Sequence, residues 1–303
     1  MFPDKNRRFW RQIRRDRILY LMFLPCLLFF IIFHYIPIWG ARIAFQEYNF
    51  FGRNLWIGFD NFKLLFSSPV FGTVLLNTIT ISAMKIFINF PMPIILAILL
   101  VEVRNRRYKQ TVQSIVYLPH FLSWVVISGI FITMLSVKEG IVNHFIQFLG
   151  REPIPFMTRK DHIRWVFVFS EMWRSIGWDS ILFVAAIYRI SDDLYEAAAI
   201  DGCNWFQRTR HIVLPGIFPT IITVFILNLG FFMNAGFDQV FNMMNDSVIS
   251  VVDIIDTYVY RIGLLNGEFS YGTAAGLFKG VVGLFLIFST HLTSKKLTGE
   301  GVW

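Results

Sequence analysis

Polar and aromatic side chains cluster at a few places inside otherwise apolar stretches, and the densest group is Glu171, Trp173, Arg174, Trp178 and Asp179. Trp173 and Trp178 offer flat apolar faces to the C–H groups of a ligand, and Asp179 offers a carboxylate to its hydroxyls. Glu171 and Arg174 stand three apart and Trp178 four beyond, so on a helix either an ion pair backed by a cation–π contact or a purely structural pair is available. A second group, Asn228, Asn234, Asp238 and Gln239, is interleaved with Gly230 and Gly236. Asn234 and Asp238 share a helical face and present either a polar rim to a ligand or a hydrogen bond to another helix. Asn77, Lys85 and Asn89 precede Pro91 and Pro93, a pattern that marks either a broken-helix site or a simple kink. Trp124 follows Pro119, His120 and Ser123, as a further ligand contact or as an interface anchor. Lys85, Arg174 and Lys279 put three cations within apolar stretches. They suit an acidic ligand such as a uronate oligomer, or they are neutralised by Glu171, Asp179 and Asp238.

All of this is recognition chemistry rather than bond making, and no residue is assigned a catalytic role. The six histidines and two cysteines, Cys26 and Cys203, show no HxxxH or CxxC spacing, so no metal site is expected. No lysine follows a glycine, which excludes the phosphate loop GxxxxGK[ST] from the chain. Any nucleotide-driven work must draw on a separate polypeptide.

The elements that position these residues are membrane spans. Of 303 residues 55% are hydrophobic and 16% charged, and the mean hydropathy is +0.55. Crossing about 30 Å of hydrocarbon takes roughly 20 helical residues, and six segments qualify, at about 18–38, 73–101, 112–135, 163–189, 217–243 and 272–293. The expected fold is all-α and integral to the membrane, with six transmembrane helices. Lys5, Arg7, Arg8, Arg11, Arg14, Arg15 and Arg17 precede the first span, which is too long for a signal peptide. They place the N-terminus in the cytoplasm, and six crossings return the C-terminus there. The domain plan is a basic cytoplasmic segment at 1–17, one membrane domain at 18–297 and a short cytoplasmic tail at 298–303. The net charge of +8 follows from this bias and from anionic lipid, and no nucleic-acid module is present. The outer loops at about 39–72 and 136–162 have room for short helices.

Between the fourth and fifth spans lies a polar loop, about 191–216, in which residues 196–215 read EAAAIDGCNWFQRTRHIVLP. Ala197, Ala198 and Ala199 favour helix behind Asp192, Asp193 and Glu196, and Gly202 is a helix stop. A second short helix is expected from Asn204 as N-cap toward Leu214, ending before Pro215. The product is a helix-turn-helix whose Ile200, Trp205 and Phe206 either fill a groove on another protein or lie on lipid headgroups beside Arg208, Arg210 and His211.

The register Glu196-Ala197-Ala198, Asp201-Gly202, Leu214-Pro215 resembles the signature loop of ABC importer permeases. Tyr35-Ile36-Pro37, Gly58-Phe59-Asp60-Asn61-Phe62, Asn77-Thr78 and Tyr117-Leu118-Pro119 extend the likeness over residues 20–297. The tract from Tyr117 to Trp124 is similar to the carbohydrate branch that handles oligosaccharides and polysaccharide fragments. The resemblance implies the type I importer permease fold in a bacterial cytoplasmic (inner) membrane, with the loop as a coupling helix docking an ATPase. It implies a second permease in a heterodimer, two ATPase subunits that carry ATP and magnesium, and an extracytoplasmic solute-binding protein. The segment from Tyr48-Asn49-Phe50 onward would lie near that docked protein. The competing class is an ion-coupled secondary carrier for a polar solute, whose coupling sites would be the buried carboxylates.

Overall fold

A computed structural model describes residues 15–49 and 51–298. The basic N-terminal stretch through Arg14, Phe50, and residues 299–303 of the tail lie outside the described residues.

The described chain is almost entirely helical, because the apolar stretches must pair every backbone N–H and C=O internally. Helix α1 runs Arg17–Phe45 and buries none of the residues of its first half, Arg17–Phe30, against the rest of the chain. It passes through a π-helical turn at Ile31–Tyr35, just before Pro37, whose missing N–H disturbs the regular ladder. A two-residue antiparallel ribbon follows, β1 (Gln46–Glu47) on β2 (Leu55–Trp56). Then come α2 (Asp60–Ser67) and α3 (Pro69–Glu102), which starts on the Ser68 cap and continues past Pro91 and Pro93 with helical geometry at Phe90. Both loops expected on the outer side contain a short helix, α2 in the first and α6 (Ile141–Phe148) in the second.

Two expected spans are broken. The third, expected as one piece at 112–135, divides into α4 (Arg106–Phe121) and α5 (Trp124–Met134), which meet at 105°. Pro119 sits in a tight 3₁₀ turn, Leu122 and Ser123 are extended, and the Ser123 hydroxyl accepts from Val126 N–H to start α5 afresh. α7 is a single 28-residue helix, Lys160–Ile187. The expected fifth span at 217–243 ends instead at Gly230, closing α9 (Trp205–Gly230). Residues 231–236 form turns, and α10 (Phe237–Met243) starts again at Gly236 with φ of +97°. Only glycine takes that backbone conformation without strain, so the helix cannot run through. α11 (Ile249–Val252) and α12 (Ile255–Val259) lead to the last long helix, α13 (Phe269–Thr298).

Four helices, α1, α3, α9 and α13, are long and apolar enough to cross a membrane by themselves, and the bent pair α4–α5 makes a fifth. α7 is long enough at about 1.5 Å per residue. It carries Arg164, Glu171, Arg174 and Asp179 in its middle, which dilutes its apolar character.

Three apolar cores tie the helices together. Ile81, Val166, Phe167, Val240 and Met243 join α3, α7 and α10. Leu65, Phe71, Tyr258 and Tyr271 join α2, α3, α12 and α13. Ala97, Leu100, Phe183, Ile187, Val213 and Ile217 join α3 and α7 to the base of α9.

Candidate functional site

A cavity of about 360 Å³ opens between α3, α5, α7 and α9. Its polar wall is Ser82, Lys85 and Asn89 from α3, Glu171, Ser175 and Asp179 from α7, Asn228 from α9 and Asn234 from the turn that follows. Trp124, Phe90, Phe183, Phe231 and Phe232 supply ring faces. Of the eight residues expected to contact substrate, Trp124, Asp179, Asn228 and Asn234 meet here. Ser82 Oγ and Asn89 Oδ1 are buried without a hydrogen-bond partner among the described residues.

The other four go elsewhere. Trp173 packs edge-on against Phe131, and Trp178 stacks on His120, rings 4.5 Å apart and 3° from parallel. Asp238 is exposed on α10, and the break at 231–236 removes it from the face it was expected to share with Asn234. Gln239 is fully buried, and both ends of its amide are engaged by protein. Its Nε2 donates to Phe167 O and Ser170 Oγ, each at 2.8 Å, while its Oε1 accepts from Lys85.

The ion pairing also differs from expectation. Glu171 does not pair with Arg174 but with Lys85, at 3.4 Å, and accepts from Ser175. Arg174 donates to the His120 carbonyl and sits 5.2 Å from the Trp124 ring rather than over Trp178. The helical spacing made both partners reachable, and the bend at Leu122–Ser123 brought Trp124 nearer to Arg174. Lys279 pairs with Asp256 rather than Asp238. Lys85 also donates to Ala235 O at 2.6 Å, so one ammonium secures the break between α9 and α10 while reaching the cavity wall. Asn77 is buried and structural, donating to Ser250 O and Asp253 O and accepting from Arg164.

The polar loop forms a second candidate surface. α8 spans Asp192–Ile200, capped by Ser191, with Asp192 and Asp193 in its first turn. Cys203 N–H bonds Ala198 O at 2.9 Å and Gly202 N–H bonds Ala199 O at 3.2 Å, closing the helix, and Gly202 takes φ of +71°. Asn204 and Gln207 form a reciprocal capping box at the start of α9. The expected stop before Pro215 is absent. A π-helical turn at Thr209–Val213 absorbs the missing proline N–H, and the short helix continues into α9. Glu196, Ala197, Asp201, Gly202, Leu214 and Pro215 are exposed, whereas Ala198 faces the body. Ile200 is 87% exposed and Phe206 62%, an apolar pair with no cover from the described chain. Arg208 reaches Glu102 at 3.6 Å, tying the loop to the end of α3. Burial, and then the nearby Glu102, push the Tyr195 phenol above its ordinary value and keep it neutral.

Residues 89–298 match the family described as binding-protein-dependent transport system inner membrane component. The chain belongs to that family. The family match covers most of the cavity wall and the whole polar loop. Protein LplB of Bacillus subtilis (strain 168) is 44% identical over 96% of this chain and 92% of its own length. The polygalacturonan/rhamnogalacturonan transport system permease protein YteP of the same strain is 39% identical over 99% of this chain and 94% of its own. A chain of the bacterial alginate ABC transporter, crystallised in complex with alginate pentasaccharide-bound periplasmic protein, superposes with a TM-score of 0.90 at 38% identity. That superposition covers 97% of this chain and all of the other.

Ser82, Ser175 and Met172 are cavity residues that sequence reading missed. Ser82 lies one helical turn before Lys85, and that spacing is the only signal that would have found it.

Proposed function

We propose that this chain is the membrane-spanning permease subunit of an ATP-driven importer that carries oligosaccharides, acidic ones among them, into a bacterial cell. The observation that carries the reading is the superposition along nearly the whole chain on the alginate transporter, whose cargo is an acidic polysaccharide. The polygalacturonan permease supports the same substrate class. The cavity is chemically suited to such cargo: amides and hydroxyls for sugar hydroxyls, and ring faces for C–H groups.

In this reading α1, α3, the bent α4–α5 pair, α7, α9 and α13 are six spans with both termini in the cytoplasm. α8 and the first turns of α9 are the coupling helix, with Ile200 and Phe206 seated in a groove of an ATPase subunit. ATP and magnesium bind there, not on this chain. A second, related permease completes the channel as a heterodimer, and a solute-binding protein delivers cargo at the outer face, where Trp56 and Phe59 are exposed. Closure of the ATPase pair draws the coupling helices together and switches access of the cavity between the two sides.

The test is Glu196→Lys in the complex reconstituted into liposomes. Its exposed position predicts normal insertion. Cargo-stimulated ATP hydrolysis and uptake are expected to fall about tenfold, the scale of a coupling free energy of 1–2 kcal/mol. Uptake that persists without ATP and collapses with the ion gradient would establish the secondary carrier instead.

A further inference from the structure

The first cavity has a neighbour. A second space of about 410 Å³ lies across the segment that ends α9, and Phe231 and Asn234 border both. Its far wall is α13, where Lys279 stands among Gly276, Gly280 and Gly283. A Cβ at any of these glycines would meet nothing within 4 Å. A flat ring therefore has backbone to lie against on either side of an ammonium group. Lys279 Nζ donates to both Asp256 oxygens at 2.6 and 2.8 Å and to Asn234 Oδ1 at 2.6 Å. That last bond spends a charged donor on a neutral acceptor. A ligand carboxylate replacing the amide would turn that ion–dipole bond into an ion pair. The freed Asn234 amide would still face the first cavity.

We propose that this second cavity is a subsite for a carboxylate-bearing sugar unit of the imported chain, and that Lys279 is the residue that reads the carboxylate. The inference rests on the reading of this protein as an oligosaccharide permease that accepts acidic cargo. It adds that one chain spans both cavities, with Asn234 as their shared wall. Asp256 is the resident counter-ion that holds Lys279 in place between cargoes and competes with each arriving carboxylate.

The experiment measures binding of tetragalacturonate, and of its carboxyl-reduced neutral counterpart, to the purified transporter complex by titration calorimetry. Wild type is expected to prefer the charged probe. Lys279→Gln is expected to weaken that probe about tenfold, the value of 1.4 kcal/mol, and to leave the neutral one unchanged, while Lys279→Arg keeps the preference. Asp256→Asn removes the competitor and is expected to tighten the charged probe. Should Lys279→Gln destabilise the complex, Lys279→Arg and Asp256→Asn still decide. Retention of the wild-type preference in Lys279→Gln overturns the subsite, as does equal weakening of both probes in Asp256→Asn. Wild type that binds neither probe overturns instead the broader reading on which the subsite rests.

Discussion

Gln239 and Asn228 are both amides of the stretch expected as the fifth span, yet they do different work. Gln239 is fully buried, and its amide holds Lys85, Ser170 and the Phe167 carbonyl in one network. Gln239→Leu takes one partner from each, while Lys85 keeps Glu171 and Ala235 O and Ser170 keeps Val166 O, so a loss of about 1–3 kcal/mol in all is expected. It should be read as a lowered unfolding temperature in detergent. Asn228 is exposed to the cavity and bonds only its own helix, at Val224 O. Asn228→Ala should leave the unfolding temperature within about a degree, since surface-type changes cost under about 0.5 kcal/mol. It should lower uptake of cargo several-fold. Equal thermal damage from both variants would remove the distinction drawn between them.

At the scale of elements, the breaks matter as much as the helices. The 105° corner between α4 and α5 and the turns at 231–236 put Trp124 and Asn234 on the cavity wall. Gly177 sets how closely α7 can approach the end of α4. A Cβ there would lie 2.1 Å from the Val116 carbonyl oxygen and 2.9 Å from the Tyr117 ring. Since the first obstacle is backbone, the helices must separate to admit a methyl. Gly177→Ala is expected to cost about 1–3 kcal/mol and to shift the His120–Trp178 stack. Lower yield of folded complex, with Trp fluorescence altered, would verify this; wild-type stability would contradict it. Gly129, with open space around its Cβ position, is the matched control.

For the whole molecule, the proposed importer mechanism requires that motion at the loop reach the cavity. The route is continuous packing: Val213 and Ile217 at the base of α9 meet Ala97 and Leu100 of α3 and Phe183 and Ile187 of α7. The same α3 and α7 go on to line the cavity, and Phe183 belongs to both the packed core and the cavity wall. Arg208–Glu102 adds a polar strut at the lower end. Because both side chains are partly exposed, the pair is worth at most about 1 kcal/mol to stability. Its value is positional. Arg208→Glu should reduce transport-coupled ATP hydrolysis severalfold without unfolding the subunit, and adding Glu102→Arg should restore much of it. A double variant no better than the single one would dismiss the strut as a coupling element.

The sequence alone determined what rests on local rules. Apolar runs of spanning length, the cap at Asn204 and the stop at Gly202 are each set by residues within a few positions of one another. Asp179, Asn228 and Asn234, three of the residues expected to contact substrate, line the cavity, and each stood out because a polar group in an apolar span is costly wherever it points. Only the tertiary structure decided partners and direction. Glu171 had Arg174 one turn away but took Lys85 from another helix, and Gln239 was consumed by a buried network. Helical periodicity fixes which residues share a face, and the backbone breaks at Leu122–Ser123 and 231–236 decide which face meets which neighbour. Proline and glycine announce that a break is possible there. Whether the chain turns or runs on, as it does past Pro91, Pro93 and Pro215, depends on packing from residues far away in the sequence.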